Sequence, residues 1–185
     1  MPKIVDHDLY RVQLLTKCMP IFVAKGVSSV SMRELSSALG VSTGTLYHYF
    51  PTKEILFESM VKQVVAMDAK EITELSESHS GLTDIMNFVA ARETHFINLM
   101  LLAVDVKRHL SESNELAELV EDSFASYRRA LDRFFPGDAK GKSGMAFLSF
   151  FLGALFLKNK ATEETDWPAL FEGLENLKTL FQNKD

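Results

Sequence analysis

The sequence predicts an all-α fold, a small N-terminal helical head followed by a larger helical body, and three observations predict it. No segment shows the strict two-residue alternation of a half-buried strand. Two short helix signals stand either side of Gly40, and apolar residues recur at three- and four-residue spacing from Leu14 to Phe181. At 185 residues, 46% of them hydrophobic, the chain can bury one small core and one larger one. The expected division is residues 1–52 for the head, 53–77 for a connecting helix and 78–185 for the body.

The first helix is expected over Val5 to Lys25, stopped by Gly26, with Leu14, Leu15, Cys18 and Phe22 facing the core. Pro20 lies inside it and is expected to kink or interrupt it, since a mid-helix proline costs about 3 kcal/mol. Cys18, the single cysteine, forms no internal disulfide and reads as a small core residue. Ser31 followed by Glu34 makes a capping box for a second helix carrying Leu35 and Leu39 on one face, and Gly40 ends it. Ser42 caps a third, which turns Leu46 and Phe50 inward and leaves Thr43, Thr45, Tyr47, His48 and Tyr49 outside or flanking the core. A fourth helix runs from Lys53 to about Glu77, and Glu77-Ser-His-Ser-Gly81 is the expected break before the body.

Two short helices around a tight glycine turn form the pattern of a helix-turn-helix. Ser31, Leu35, Ser36, Gly40, Val41, Ser42, Gly44, Leu46, Tyr47, Tyr49, Phe50, Lys53 and Leu56 resemble the ordered signature of the DNA-binding domain of TetR-family transcriptional regulators. Serine for threonine at 31, leucine for isoleucine at 35 and serine for alanine at 36 are departures that keep the cap and the inward leucine. The resemblance runs in detail from about Leu9 to Val65. It implies a ligand-binding and dimerisation domain after the head, a homodimer on a palindromic operator, and a ligand-responsive regulator, most often a repressor.

The residues expected to meet DNA are Ser31, Arg33, Ser42, Thr43, Gly44, Thr45, Tyr47, His48, Tyr49 and Lys53. The start of the third helix offers unpaired N–H groups and partial positive charge to a phosphate, and Ser42, Thr43 and Thr45 add hydroxyls. Gly44 allows close backbone approach. Tyr47, His48 and Tyr49 offer donors to phosphate oxygens and rings to thymine methyls or sugars. Lys53 in a first helical turn opposes the helix dipole, which favours an anion beside it; neutralisation by Glu54, with the tyrosines serving only as packing, is the other reading. Arg33 can take a guanine edge, hold phosphate or sit solvated.

Charge agrees once it is divided. The net −5 splits into 7 Lys+Arg against 5 Asp+Glu over residues 1–65 and 13 against 20 over 66–185. Attraction to phosphate acts over about 8 Å, so the local balance governs it. Asp6 and Asp8 argue against a basic arm, for which only Lys3 and Arg11 are available. No charged, apolar leader opens the chain, and the longest apolar run, Gly144 to Leu157, has 14 residues where a membrane span needs about 20. The expected location is the cytoplasm, with no membrane contact.

In the body, Thr83 to Leu110 reads as one helix or two, followed by a helix to about Phe135 that Pro136-Gly137 stops. Lys142 to Lys160 is apolar nearly all round, so one side faces the interior and the other a partner. A last helix begins near Asp166-Trp167-Pro168 and carries Leu170, Leu174, Leu177 and Phe181. Helices near 142–160 and 167–182 are the expected homodimer seam, or they complete one chain's core. Asn87, Thr94, Asn98 and Asp105 fall within about 40° on a helical wheel if their segment is continuous, lining a cavity or facing solvent. The candidate ligand residues are Arg92, His95, Asn98, Asp105, Tyr127 and Phe150. Fourteen phenylalanines and eight methionines suit an apolar or aromatic small-molecule effector, and equally a core. The five histidines show no metal spacing, and no nucleophile, Walker or dinucleotide motif is present, so no catalytic residue, metal or cofactor is expected. The alternative outside this class is a helical protein–protein adaptor that does not bind DNA.

Overall fold

The computed structural model describes residues 6–78, 81–109, 114–135, 142–157 and 166–173, and every regular element among them is helical. Four helices build and continue the head: α1 (His7–Lys25), α2 (Met32–Leu39), α3 (Thr43–Tyr49) and α4 (Lys53–Glu77). The body adds α5 (Leu82–Ala91), α6 (Glu93–His109), α7 (Asn114–Asp132), α8 (Lys142–Leu157) and α9 (167–173). Lys3, His79, Pro136, Gly137, Lys158, Lys160, Leu174, Leu177 and Phe181, named above from sequence, lie outside the described residues.

Capping chemistry sets the head's boundaries. Asp6 accepts from the N–H groups of Asp8 and Leu9 at 3.0 and 3.1 Å, so the acidic start of the chain caps α1. Ser31 and Glu34 make the expected capping box, and Gly40 ends α2 in the left-handed region at φ 70°. Ser42 and Thr52 accept from Thr45 and Ile55 to start α3 and α4. Pro20 does not interrupt α1, which corrects the expectation of a break. It sits on the exposed face, where the carbonyl it leaves unbonded can take water, while Leu14, Leu15, Cys18, Met19 and Phe22 hold the opposite face in the core.

The 25 residues of α4 join the two regions. Its N-terminal half presents Leu56, Phe57 and Met60 to the head, and the buried stripe continues through Val61, Val65, Asp68 and Ile72 into the body, within one continuous core that reaches Trp167. The segment expected from Thr83 onward is two helices, α5 and α6, with the break at Arg92, whose φ of −122° leaves the helical region; Leu110 lies outside the described residues. The polar stripe of Asn87, Thr94, Asn98 and Asp105 therefore does not exist as one face. Gly144 lets α8 close on α7, since a Cβ there would stand 2.1 Å from Asp132 Oδ1. The small residue at 144 thus serves packing within the chain, while Met145, Phe156 and Leu157 are left 49–75% exposed.

One side chain ties body to head away from α4. Asp105 on α6 accepts from the Val27 N–H at 2.8 Å, beside Gly26, whose φ is 80° and where a Cβ would come within 3.2 Å of the same carboxylate.

Candidate nucleic-acid interface and interior cavity

The head's outer surface is built on α2 and α3. Leu35, Leu46 and Phe50 are fully buried, which fixes the opposite sides of both helices outward. Arg33, Ser42, Gly44, Tyr47 and His48 are exposed there, Tyr47 by 50%, and Thr43, Thr45 and Tyr49 are half-buried. The hydroxyls have partners within the fold: Ser42 accepts from Thr45 N–H at 2.9 Å and lies 2.7 Å from its Oγ1, Thr43 pairs with buried Ser36 at 3.0 Å, and Ser31 is occupied by Glu34. Each hydroxyl oxygen has further hydrogen-bonding capacity, so these bonds orient it without exhausting it.

Lys53 reaches back to donate to the Ser28 carbonyl at 2.8 Å, and Glu54 is not its partner. An ammonium has three donors, so two remain beyond that bond. Arg11 is not available as an arm: it donates to Ser59 at 2.9 Å and its guanidinium lies 5.0 Å from the Phe50 ring centre. Sequence reasoning missed His7, whose Nδ1 is 2.7 Å from the Tyr49 hydroxyl, and Tyr10, whose ring packs 5.6 Å from that of Tyr49. Their contacts with Tyr49 span 42 and 39 residues, and no local pattern announces them. Behind the surface, hydrogen bonds from Lys25 and then Ser31 hold the Glu34 carboxyl down at about 2.

The body encloses a cavity of about 80 Å³ between α4, α5, α6, α7 and α8. Its wall includes Phe57, Val65, Phe96, Met100, Phe124, Tyr127 and Phe151. Of the six ligand candidates named from sequence, only Tyr127 lines it. Arg92 pairs with Glu71 and lies 4.0 Å from Asp68, and His95 Nε2 is 2.8 Å from Asp68 Oδ2. Asp105 is engaged with the head, Phe150 packs on Phe171 at 5.4 Å, and Asn98 is half-buried outside the wall. The break at Arg92 separates Asn87 on α5 from Thr94, Asn98 and Asp105 on α6, so the four do not line one face.

The residue that collects these groups is Asp68, 5% exposed, which also accepts from the Tyr127 hydroxyl at 2.6 Å. Burial, with the Asp68 charge adding to it, pushes Tyr127 well above the usual phenol range. Asp68 had a signal that was not used: it follows Val61 and Val65 and precedes Ile72 on the inward stripe of α4, where a lone acid requires partners. Among the described residues no three His, Cys, Asp or Glu side chains form a metal-holding group, and no helix is long and apolar enough to cross a membrane.

Residues 14–60 match the family model described as bacterial regulatory proteins, tetR family. The HTH-type transcriptional regulator PksA of Bacillus subtilis (strain 168) is 33% identical over 64 residues, which cover 35% of this chain and 31% of PksA. The chain spans about a third to a half of the length of the curated relatives that it matches. Similarity of fold extends further. The reduced form of NemR from E. coli superposes with a TM-score of 0.70 at 17% identity, covering 92% of this chain and 97% of NemR. NalD of Pseudomonas aeruginosa, described as the secondary repressor of a multidrug efflux pump, gives 0.64 at 21% identity, covering 92% of this chain and 97% of NalD. With a capped helix-turn-helix at the matched residues and helices throughout the described part of the body, the head is similar to the DNA-binding domain of the tetR family of bacterial regulatory proteins, and the fold as a whole is similar to those of NemR and NalD.

Proposed function

We propose that the protein is a cytoplasmic, homodimeric transcriptional regulator, a repressor, that binds a palindromic DNA operator and responds to a small apolar or aromatic effector. The observation that carries the reading is the surface of α3: Leu46 and Phe50 are sealed in the core while Gly44, Tyr47 and His48 stand exposed together, with Arg33 exposed on α2. In a two-fold dimer, two such helices about 34 Å apart enter successive major grooves. Ser31, Ser42, Thr43, Thr45, Tyr49 and Lys53 support that surface and position it on phosphates. No catalytic role is proposed.

The homodimer is supported by α8, where Phe156 and Leu157 are each 75% exposed and Met145 lies on the outside of the same helix. A second copy covers such a stripe most economically, with helices near 142–160 and 167–182 forming the seam. Effector control is supported by the cavity, whose wall joins α4, the helix rising from the head, to the rest of the body. A repressor role is the one described for NalD.

Footprinting on the DNA that flanks the coding region tests the reading. The expected result is a two-fold symmetric protected site, lost with Tyr47→Ala. If no genomic fragment is retarded by the protein in a gel, the DNA-binding function is wrong, and a helical protein–protein adaptor becomes the better description.

A further inference from the structure

We infer that the cavity selects an uncharged, apolar ligand bearing a hydrogen-bond donor, of the phenol or indole type, because its wall, among the described residues, offers hydroxyl lone pairs and no uncommitted donor. The inference rests on the proposed effector role of this cavity and specifies the ligand class.

Among the described residues no charged side chain lines the cavity, and Ser123 and Tyr127 are the wall residues that carry hydroxyls. Each commits its proton elsewhere. Ser123 Oγ donates to the Leu119 carbonyl at 2.7 Å, one turn back along α7. The Tyr127 hydroxyl donates to Asp68 Oδ2 at 2.6 Å, and that direction is set by the partner, a carboxylate with Arg92 and His95 on its other sides. The wall lies on helices α4 to α8, whose interior N–H groups are bound to carbonyls four residues back.

A carboxylate or phosphate placed here would lose its water and gain no donor, so anions are rejected. A ligand carbonyl or ether would set lone pair against lone pair. A cation finds no carboxylate among the described wall residues, since Asp68 lies behind Tyr127 and is already partnered. A hydroxyl or N–H can donate to Ser123 Oγ or Tyr127 Oη without disturbing either existing bond, because each oxygen has a second lone pair. The rings of Phe57, Phe96, Phe124 and Phe151 favour an aromatic body for the rest of the molecule. At about 80 Å³ the space is smaller than the roughly 150 Å³ cavity that admits benzene, so a single ring requires a wall side chain to swing, and Met100 is the most adaptable.

Trp167, the sole tryptophan, lies 5.3 Å from the wall residue Phe151 and reports occupancy by fluorescence. The experiment titrates full-length protein with phenol, with near-isosteric fluorobenzene that has no donor, and with benzoate, alongside gel shifts of the operator. Saturable binding is expected for phenol and none for benzoate. Ser123→Ala, which leaves the Asp68 cluster whole, or Tyr127→Phe should lower the phenol-to-fluorobenzene affinity ratio roughly fivefold, the worth of one hydrogen bond, with fluorobenzene unchanged. Benzoate binding as tightly as phenol, a ratio untouched in both variants, or saturation by none of the three probes would overturn the inference. Benzoate that binds and releases DNA sinks the donor requirement while effector control stands. Phenol that binds as expected without altering the DNA complex does the reverse.

Discussion

Head and body use polar side chains in opposite ways. In the head they stand at helix ends and on the outside: Asp6, Ser31, Ser42 and Thr52 each satisfy backbone donors within three residues, and the core behind them is apolar but for Ser36. In the body the decisive polar group is inside: buried Asp68 gathers Tyr127, His95 and Arg92 from two other helices and the α5–α6 junction. The head is thus shaped by local chemistry to present a surface, and the body by convergence of distant segments around an interior.

The largest test of that division is Phe50→Ala, which removes a fully buried ring and should cost about 3–5 kcal/mol in chemical denaturation. Phe50 belongs to the same core cluster as Trp167, so Trp167 fluorescence and helical signal should shift together. A tryptophan transition that stays in place would make head and body separate units. Next, Asp68→Ala strands the Tyr127 hydroxyl and should cost about 1–3 kcal/mol by urea denaturation, with operator affinity of the folded protein little changed. Ser31→Ala removes the α2 cap and should cost about 0.5–2 kcal/mol, together with a loss of DNA binding that Asp68→Ala does not share.

Titration gives the smallest effects. Tyr127 is raised above its ordinary 10 by burial and Asp68, and Cys18 is pushed by burial from 9.0 up to about 12. For groups raised in the folded state, stability is whole below the unfolded value and drains away as pH rises through the folded one. Denaturation followed from pH 8 to 11.5 should therefore show an alkaline loss that Tyr127→Phe relieves in the body and Cys18→Ala in the head. Glu34 is lowered, so its contribution is present above 4.5 and disappears as pH falls toward 2; Glu34→Gln should flatten that acid limb.

The same contrast explains what the sequence made legible. The capping box at Ser31 and Glu34, the turn at Gly40 and the inward pair Leu46 and Phe50 are short-range patterns, and the structure places them as read. The start of α4 at Lys53 and the helical body followed from the same periodicity. Pro20 was misjudged because propensity describes an isolated helix, whereas five buried residues hold α1 together here. The cavity was hardly legible. Its candidates were polar and aromatic residues of the body, whose direction depends on how distant helices pack, and its organising residue, Asp68, stands on a helix assigned only to connecting the two regions. His7 and Tyr49 met for a similar reason: a pairing across 42 residues is a property of the packed head and of no segment within it.

The bond from Val27 N–H to Asp105 bears on modularity. Val27 is 1% exposed and its amide is satisfied by a carboxylate 78 residues downstream, on the body. A head cut free at Ser78, or grafted onto a foreign body, leaves that amide facing whatever replaces α6. A chimera of this head therefore needs an acceptor at the place where α6 now presents Asp105, and position 26 must stay glycine, since a side chain there would meet the carboxylate in a backbone conformation with φ of 80°. The unit that can be moved onto another body is thus the head plus one acid borrowed from its own.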